Sequence, residues 1–210
     1  MNKEILVPGL VGILIGVVLT LGFSSMGSGM MGRGSSMMDS GNSATNGNQM
    51  MASIDAHFIE QMIPHHEDAI TMAGIALEKS ERSEIKRLAE DINRTQSAEI
   101  QQMQNWYRDW FGKDVPDAFA NTDHGMGSGS IHMGMMGDAT DMESLESSTD
   151  FDKAFIEEMI PHHQMAVMMA QMLEQSTDRP EMKQLAKEII AAQTKEIESM
   201  REWYREWYGE

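Results

Sequence analysis

Residues 54–112 read IDAHFIEQMIPHHEDAITMAGIALEKSERSEIKRLAEDINRTQSAEIQQMQNWYRDWFG, and this stretch decides the fold because the chain contains it twice. Residues 151–209 align with it at a constant offset of 97 positions without gaps, and 27 of the 59 aligned residues are identical. The identities include FIE-MIPHH at 58–66 and 155–163, and WYR-W near the end of each copy. The protein is therefore built around a duplicated unit.

Each copy is predicted to form a helical hairpin. In the first copy, Phe58, Met62, His65 and the residues that follow recur at three- and four-residue steps, which is the period of one helix face. Pro64 and its counterpart Pro161 are expected to kink these first helices. Neither hairpin can bury its apolar face alone, so the two are expected to pair. The predicted fold is all-α, a ferritin-like four-helix bundle made of two duplicated hairpins.

Local signals predict the ends of the helices. Ser53 is a favourable N-cap for the first helix, and Thr149-x-x-Asp152 has the pattern of a capping box before its counterpart. The hairpin turn of the first copy is expected near residues 80 and 81. The remaining starts and stops are predicted at Ser83, Pro180, Gly112 and Gly209.

The segments outside the repeats have other compositions. Residues 5–23 are uncharged and apolar, which predicts a transmembrane helix within an anchor over 1–23, with a cleaved signal peptide as the alternative. Residues 24–52 are rich in Gly, Ser and Met and are predicted to form a flexible tether. A Met/His/Gly-rich linker is predicted over 113–148, between hairpins at 53–112 and 149–210. The folded part is expected on the periplasmic or extracellular side of the cytoplasmic membrane, or secreted to the periplasm after cleavage.

Composition excludes several classes of function. The formal net charge is −17, which repels nucleic acid and attracts cations. The chain has no cysteine, so disulfides, zinc fingers, iron-sulfur clusters and thiol catalysis are excluded. It has 23 methionines, an unusual number. Soft-metal chemistry in this protein must therefore use Met and His.

The repeated Met/His cluster is the predicted metal site. Imidazole nitrogen and thioether sulfur suit copper(I), or silver(I) as its mimic, better than they suit hard cations. Positions i, i+3, i+4 and i+10 point into the same part of a helical bundle. Protonation of the histidines near pH 5 is expected to weaken their part of the binding. The predicted ligands, one set per copy, are Met62, His65, His66, Met72, Met159, His162, His163 and Met169.

Folding each hairpin about its turn predicts polar partners for these ligands. The register sets His65 level with Gln96 and Met62 level with Glu99, on an otherwise apolar face. Gln193 and Glu196 take the same places in the second copy. An amide or carboxylate there is expected to orient an imidazole through its other nitrogen. Met103 and Met200, which lie level with Phe58 and Phe155, are possible accessory ligands.

Other methionines and histidines have two interpretations. In the linker, a segment without a core to fill, they are either weak accessory metal ligands or the product of compositional drift; these are His124, Met126, His132, Met133, Met135 and Met136. Methionines at helical spacing in the second copy are expected to be core residues instead; these are Met165, Met168, Met172 and Met182.

The MIPHH segments, the A-I/V-x-M-A that follows each of them, and the WY near the end of each copy resemble the CopM-like family of bacterial proteins. That family has long been catalogued as a domain of unknown function and is described as ferritin-like helical. The resemblance covers both repeats. It implies an exported bundle whose studied members bind copper(I) or silver(I) through Met and His and support copper tolerance, and it points to the eight ligands named above.

The sequence thus predicts a protein that sequesters or relays copper(I), with a copper-transfer protein as a possible partner and no nucleic acid. No catalysis is expected, because Glu-x-x-His is absent and His66-Glu67 does not continue as His-Glu-x-x-His. The alternatives are a metal-free structural or interaction module and, with less support, a copper redox enzyme. The oligomeric state is left open.

Overall fold

The computed structural model describes residues 42–116 and 142–209, with side chains from residue 54 onward in the first range. The helices in these ranges are α1 Asn42–Lys79, α2 Ser83–Phe111, α3 Met142–Ser147, α4 Phe151–Ser176 and α5 Pro180–Tyr208. These two ranges contain no strand. The predicted all-α class is confirmed.

The four long helices share two hydrophobic clusters. One cluster joins the N-terminal part of α1 and the C-terminal part of α2 to the C-terminal part of α4 and the N-terminal part of α5. The other joins the opposite parts of the same helices. Since α1 also contacts α4 directly, the two copies lie against each other in opposite directions. Each hydrophobic core is therefore assembled from both copies of the repeat.

Most predicted boundaries agree with the structure. Helix α2 begins at Ser83, and Pro180 is the first residue of α5. Gly112 and Gly209 end their helices in the left-handed conformation, with φ of 67° and 75°. Glycine adopts this conformation without a Cβ clash, so it is a common residue at such helix ends.

Two predicted helix starts are wrong. Helix α1 begins at Asn42, so Ser53 lies inside the helix and the predicted tether is partly helical. Residues 49–52, QMMA, are good helix formers and do not interrupt it. The capping residue of α4 is Asp150, whose carboxylate accepts a hydrogen bond from the backbone N–H of Lys153 at 3.2 Å. The pattern that begins at Thr149 was offset by one residue because Asp150 caps equally well.

Part of the predicted linker is also helical. Helix α3 packs against α4, and its Leu145 is buried in the second cluster. Lys79 donates a hydrogen bond to the carbonyl oxygen of Glu146 at 2.8 Å. Burial of the Leu145 side chain contributes about 2 kcal/mol to the order of this six-residue helix.

Equivalent arginines tie each hairpin turn to the other copy. Arg82 lies 3.3 Å from Asp152 and 4.0 Å from the centre of the Trp207 ring. Arg179 lies 3.0 Å from Asp55, and it stands over the Trp110 ring at the same 4.0 Å. We call these groups the Arg82 cluster (Arg82, Asp152, Trp207) and the Arg179 cluster (Arg179, Asp55, Trp110). Each cluster tryptophan also stacks on a second one, Trp110 on Trp106 and Trp207 on Trp203.

The predicted anchor over 1–23 lies outside the described residues. Within the described ranges, no helix combines the length and apolar character needed to cross a bilayer.

Candidate metal centre

Four histidines meet between the two hydrophobic clusters. His65 and His66 lie on α1 between Ile63 and Ala69, which belong to different clusters, and the second pair lies at the same point of α4. Because α1 and α4 cross here, the rings of His65 and His162 stand 3.7 Å apart, centre to centre, at an angle of 37°. The repeat predicts one site in each copy, and the structure places the two histidine pairs next to each other. We call the four histidines the histidine centre.

Glutamates orient the second histidine of each pair. His66 Nε2 lies 2.7 Å from a carboxylate oxygen of Glu99, and His163 Nε2 lies 2.7 Å from Glu196. Both imidazoles are fully buried. Because a carboxylate only accepts, Nε2 carries the proton and Nδ1 keeps a free lone pair. Each carboxylate thus selects the tautomer in which Nδ1 can bind a metal.

Burial keeps the first histidine of each pair neutral. It lowers the pKa of His65 to about 3, and the neighbouring His66 and His163 add to this effect. Burial also lowers the pKa of His162 well below its usual value, with His65 as the next contributor. Neutral imidazole is the form that binds metal. For His65 and His162, protonation therefore requires a more acidic solution than it does for a free imidazole.

Several nitrogen atoms of this centre lack protein partners. Both ring nitrogens of His162 are buried without a hydrogen bond, and so is Nδ1 of His65, His66 and His163. The side-chain carbonyl oxygens of Gln96 and Gln193 are in the same condition. Unpaired buried polar atoms are rare in proteins because each costs free energy. A bound cation would satisfy the nitrogens.

The methionines regroup across the copies. Met62 lies in the first cluster with Met103, and Met169 of the other copy packs against them. In the same way, the second cluster combines Met159 and Met200 of the second copy with Met72 of the first copy. Met62 and Met72 therefore lie on opposite sides of the histidines, and each thioether group is drawn from both copies.

Glu99 contacts a different residue from the one that the register predicts. It bonds to His66 rather than lying level with Met62, an offset of one helical turn. Helical side chains lean toward the N-terminus of their own helix, and this lean shifts contacts in an antiparallel pair.

In the described ranges, no three His, Asp or Glu side chains converge closely enough to hold an ion by themselves. An ion held here would therefore have at most two of these side chains as ligands, and any further ligand would be sulfur or solvent.

Several predicted residues lie elsewhere. The six linker residues between His124 and Met136 are outside the described ranges. Met182 is fully buried, as expected of a core methionine. The same expectation is wrong for Met168 and Met172, which are 40% and 60% exposed. Met168 and Met172 lie on the side of α4 that faces away from the shared clusters. Helical spacing alone did not distinguish this exposed side from the buried one.

Several residues that hold the helices and the two copies together were not predicted from the sequence. Asp55, Arg82, Glu60 and Tyr107 are identical in the second copy, and repeat identity was the signal that could have singled them out. Tyr107 donates a hydrogen bond to Glu60, and Tyr204 donates to Glu157 at 2.5 Å. These contacts hold the two helices of each hairpin in register.

The fold and the site define a class: an all-helical protein with paired, buried histidines at the crossing of two repeats. The family model described as "Domain of unknown function (DUF305)" matches residues 55–204, which is most of the chain, and the chain belongs to that family. A curated relative, uncharacterized protein L153 of Acanthamoeba polyphaga mimivirus, is 45% identical over 49 residues. That match covers 23% of this chain and 32% of the relative, so the chain spans about a third of its length.

Solved structures of CopM are similar over nearly all of their length. CopM in its Cu(I)-bound form, and in its Ag-bound form from co-crystallization, matches with a TM-score of 0.62 at 45% identity. The Cu(II)-bound form gives 0.65 at 47% identity. Each match covers 73% of this chain and 97% of that chain. A DUF305 fragment from Deinococcus radiodurans matches at 0.57 and 30% identity, over 70% of this chain and 93% of the fragment.

Proposed function

We propose that this protein binds copper(I), with silver(I) as a mimic, and that it sequesters or relays the ion outside the cytoplasmic membrane without catalysis. One observation carries the proposal: two repeats bring four imidazoles together at one point, and each imidazole keeps a buried Nδ1 without a protein partner. Similarity to CopM, which has been solved with Cu(I) and with Ag, supports it.

The chemistry of the centre suits a soft monovalent ion. Neutral nitrogen donors and thioethers add no negative charge, and the core offers a hard divalent ion few oxygen ligands. Glu99 and Glu196 are engaged with Nε2 of their histidines, so Nδ1 of His66 and His163 would face the ion. His65 and His162 lie between them. Two histidine pairs allow up to two ions.

The direct test is an anaerobic copper(I) titration of the full chain against a competing chelator. His65→Ala and His162→Ala should each weaken binding by one tenfold step or more, because a donor is removed from a buried centre. His57→Ala is the matched control, since His57 is exposed and the second copy already carries Ala154 there. Unchanged stoichiometry and affinity in both site variants would refute the assignment.

A further inference from the structure

Helix α4 carries exposed sulfur next to the buried histidines. Met168 and Met172 are the exposed large hydrophobic residues within the described ranges, and Met165 is partly exposed. We call Met165, Met168 and Met172 the methionine stripe. Its members follow one another at three- and four-residue steps, so neighbouring side chains lie side by side on the helix surface.

The stripe leads from solvent toward the histidine centre. Met165 is three residues from His162. Met172, Met168, Met165 and His162 are therefore separated by three or four residues at each step, so each side chain is next to the following one on the helix surface. Exposure falls along it, from 60% at Met172 and 40% at Met168, through Met165, to 9% at His162. The series spans about 15 Å of helix. Soft donors therefore connect the surface to the histidine centre along one side of α4.

We propose that the methionine stripe is a surface site for copper(I) or silver(I), distinct from the buried centre, and that it passes the ion to His162. The site itself stands independently, while the transfer rests on the proposed function. Transfer is ligand exchange: a copper–thioether bond breaks as a copper–imidazole bond forms. Copper remains copper(I), and no electron or proton moves.

A metal fits this surface better than a protein partner does. Stable protein interfaces bury about 1,200–2,000 Å² and are anchored by aromatic or other large apolar groups. Here no exposed Leu, Ile, Phe or Trp accompanies the two exposed methionines in the described ranges. Two or three thioethers within one another's reach supply the donor set that copper(I) prefers.

The first copy lacks the stripe although it shares the histidines. Asp68, Thr71 and Ile75 occupy the aligned positions, so no thioether leads outward from His65 on α1. The proposed surface site is therefore one-sided. This difference between two otherwise similar helices supplies a matched control within the same molecule.

The test is silver(I) titration of the full chain with ¹³C-methyl-labelled methionine, followed by NMR. Methyl signals of all three stripe methionines should shift on binding. The variant Met165→Leu/Met168→Leu/Met172→Leu should lose one silver equivalent and load the buried centre more slowly, since leucine keeps the helix and the apolar surface but removes sulfur. Met182→Leu, a buried methionine of α5, should lose none. Asp68→Met/Thr71→Met/Ile75→Met should gain one.

The outcomes separate the two sites. Loss of the stripe equivalent with the histidine equivalents retained supports the proposal. Unshifted stripe signals, or an unchanged stoichiometry in the leucine variant, overturn it while leaving the buried centre intact. If His65→Ala and His162→Ala leave binding unchanged but the leucine variant abolishes it, the proposed function fails and the surface site stands. Stripe signals that move with protein concentration and without metal would identify a second copy of the chain as the occupant and overturn the proposal.

Discussion

At the scale of single residues, two features of the histidine centre keep imidazole nitrogens available as electron-pair donors. Burial holds His65 and His162 neutral, and Glu99 and Glu196 set the tautomer of their neighbours. The arrangement leaves several buried nitrogens unpaired in the metal-free protein. Metal binding and folding stability are therefore expected to be linked through these same atoms.

The glutamates should tune the affinity without being ligands. Glu99→Gln is expected to lower copper(I) affinity about tenfold, because an amide accepts more weakly and can stabilise the opposite tautomer. The measurement is competition against a chelator at neutral pH. Glu60→Gln is the matched control, because Glu60 bonds to Tyr107 away from the centre. Equal affinities in the two variants would contradict the orienting role.

The metal-free protein should lose stability in mild acid. A histidine with a lowered folded pKa stays neutral while its unfolded counterpart gains a proton below about 6.5. Unfolding then takes up protons as pH falls from that value toward about 3, the folded pKa of His65. Each histidine should contribute up to about 1.4 kcal/mol of lost stability per pH unit in this window.

Urea unfolding between pH 7.5 and 4.5, in the presence of a chelator, measures this slope. Carboxylates also titrate in this range, so the comparison is with His65→Gln/His162→Gln, which retains their contribution. The double variant should show a shallower decline. An equally steep decline in both proteins would show that the two histidines are not the source.

At the scale of helices, the same Gly→Ala substitution should stabilise the protein at one position and destabilise it at another. Gly112 ends α2 with φ of 67°, and Gly74 lies inside α1 with open space where a Cβ would project. Gly112→Ala should destabilise the protein by about 1 kcal/mol because alanine is strained at positive φ. Gly74→Ala should stabilise it by about 0.5–1 kcal/mol through helix propensity. Denaturant unfolding of both variants checks the signs, and a shared sign would contradict the assignment of helix ends.

At the scale of the whole molecule, the two copies are held together by apolar clusters and by the two arginine clusters at the bundle ends. Asp55 is 1% exposed, and burial raises the pKa of its carboxyl group against the opposing influence of Thr177 and Arg179. Asp152 is the more exposed partner, with 15% of its side chain in contact with solvent. The two clusters are therefore alike in geometry but unequal in burial.

The difference in burial between Asp55 and Asp152 should make the two arginines contribute unequally to the free energy of unfolding. Arg179→Met should cost up to about 3 kcal/mol, because it leaves the Asp55 carboxyl buried without its cation. Arg82→Met is expected to cost about 1 kcal/mol or less, since Asp152 is better hydrated. Urea unfolding at pH 7 compares them, with copper(I) affinity as a control for damage to the centre. A larger loss for Arg82→Met would contradict the ranking by burial.

The sequence by itself determined the helices, the pairing within each hairpin and the types of donor atom. These predictions came from local or internal signals: the three- and four-residue periodicity, Pro180, Gly112 and the repeat at a constant offset of 97 positions. Such signals can be read without knowing how the helices pack. Even the presence of a glutamate opposite the MIPHH segment followed from the short turn. Only the predicted contact was displaced, from Met62 to His66, because helical side chains lean toward the N-terminus of their own helix.

Only the tertiary structure decided how the copies combine. Opposite directions of α1 and α4 bring the two histidine pairs together and separate Met62 from Met72. The same packing leaves Met168 and Met172 on the surface although their spacing resembles that of core residues. Periodicity defines a face of a helix, but which face becomes buried depends on where a neighbour packs, and that is set by the shape of both copies together.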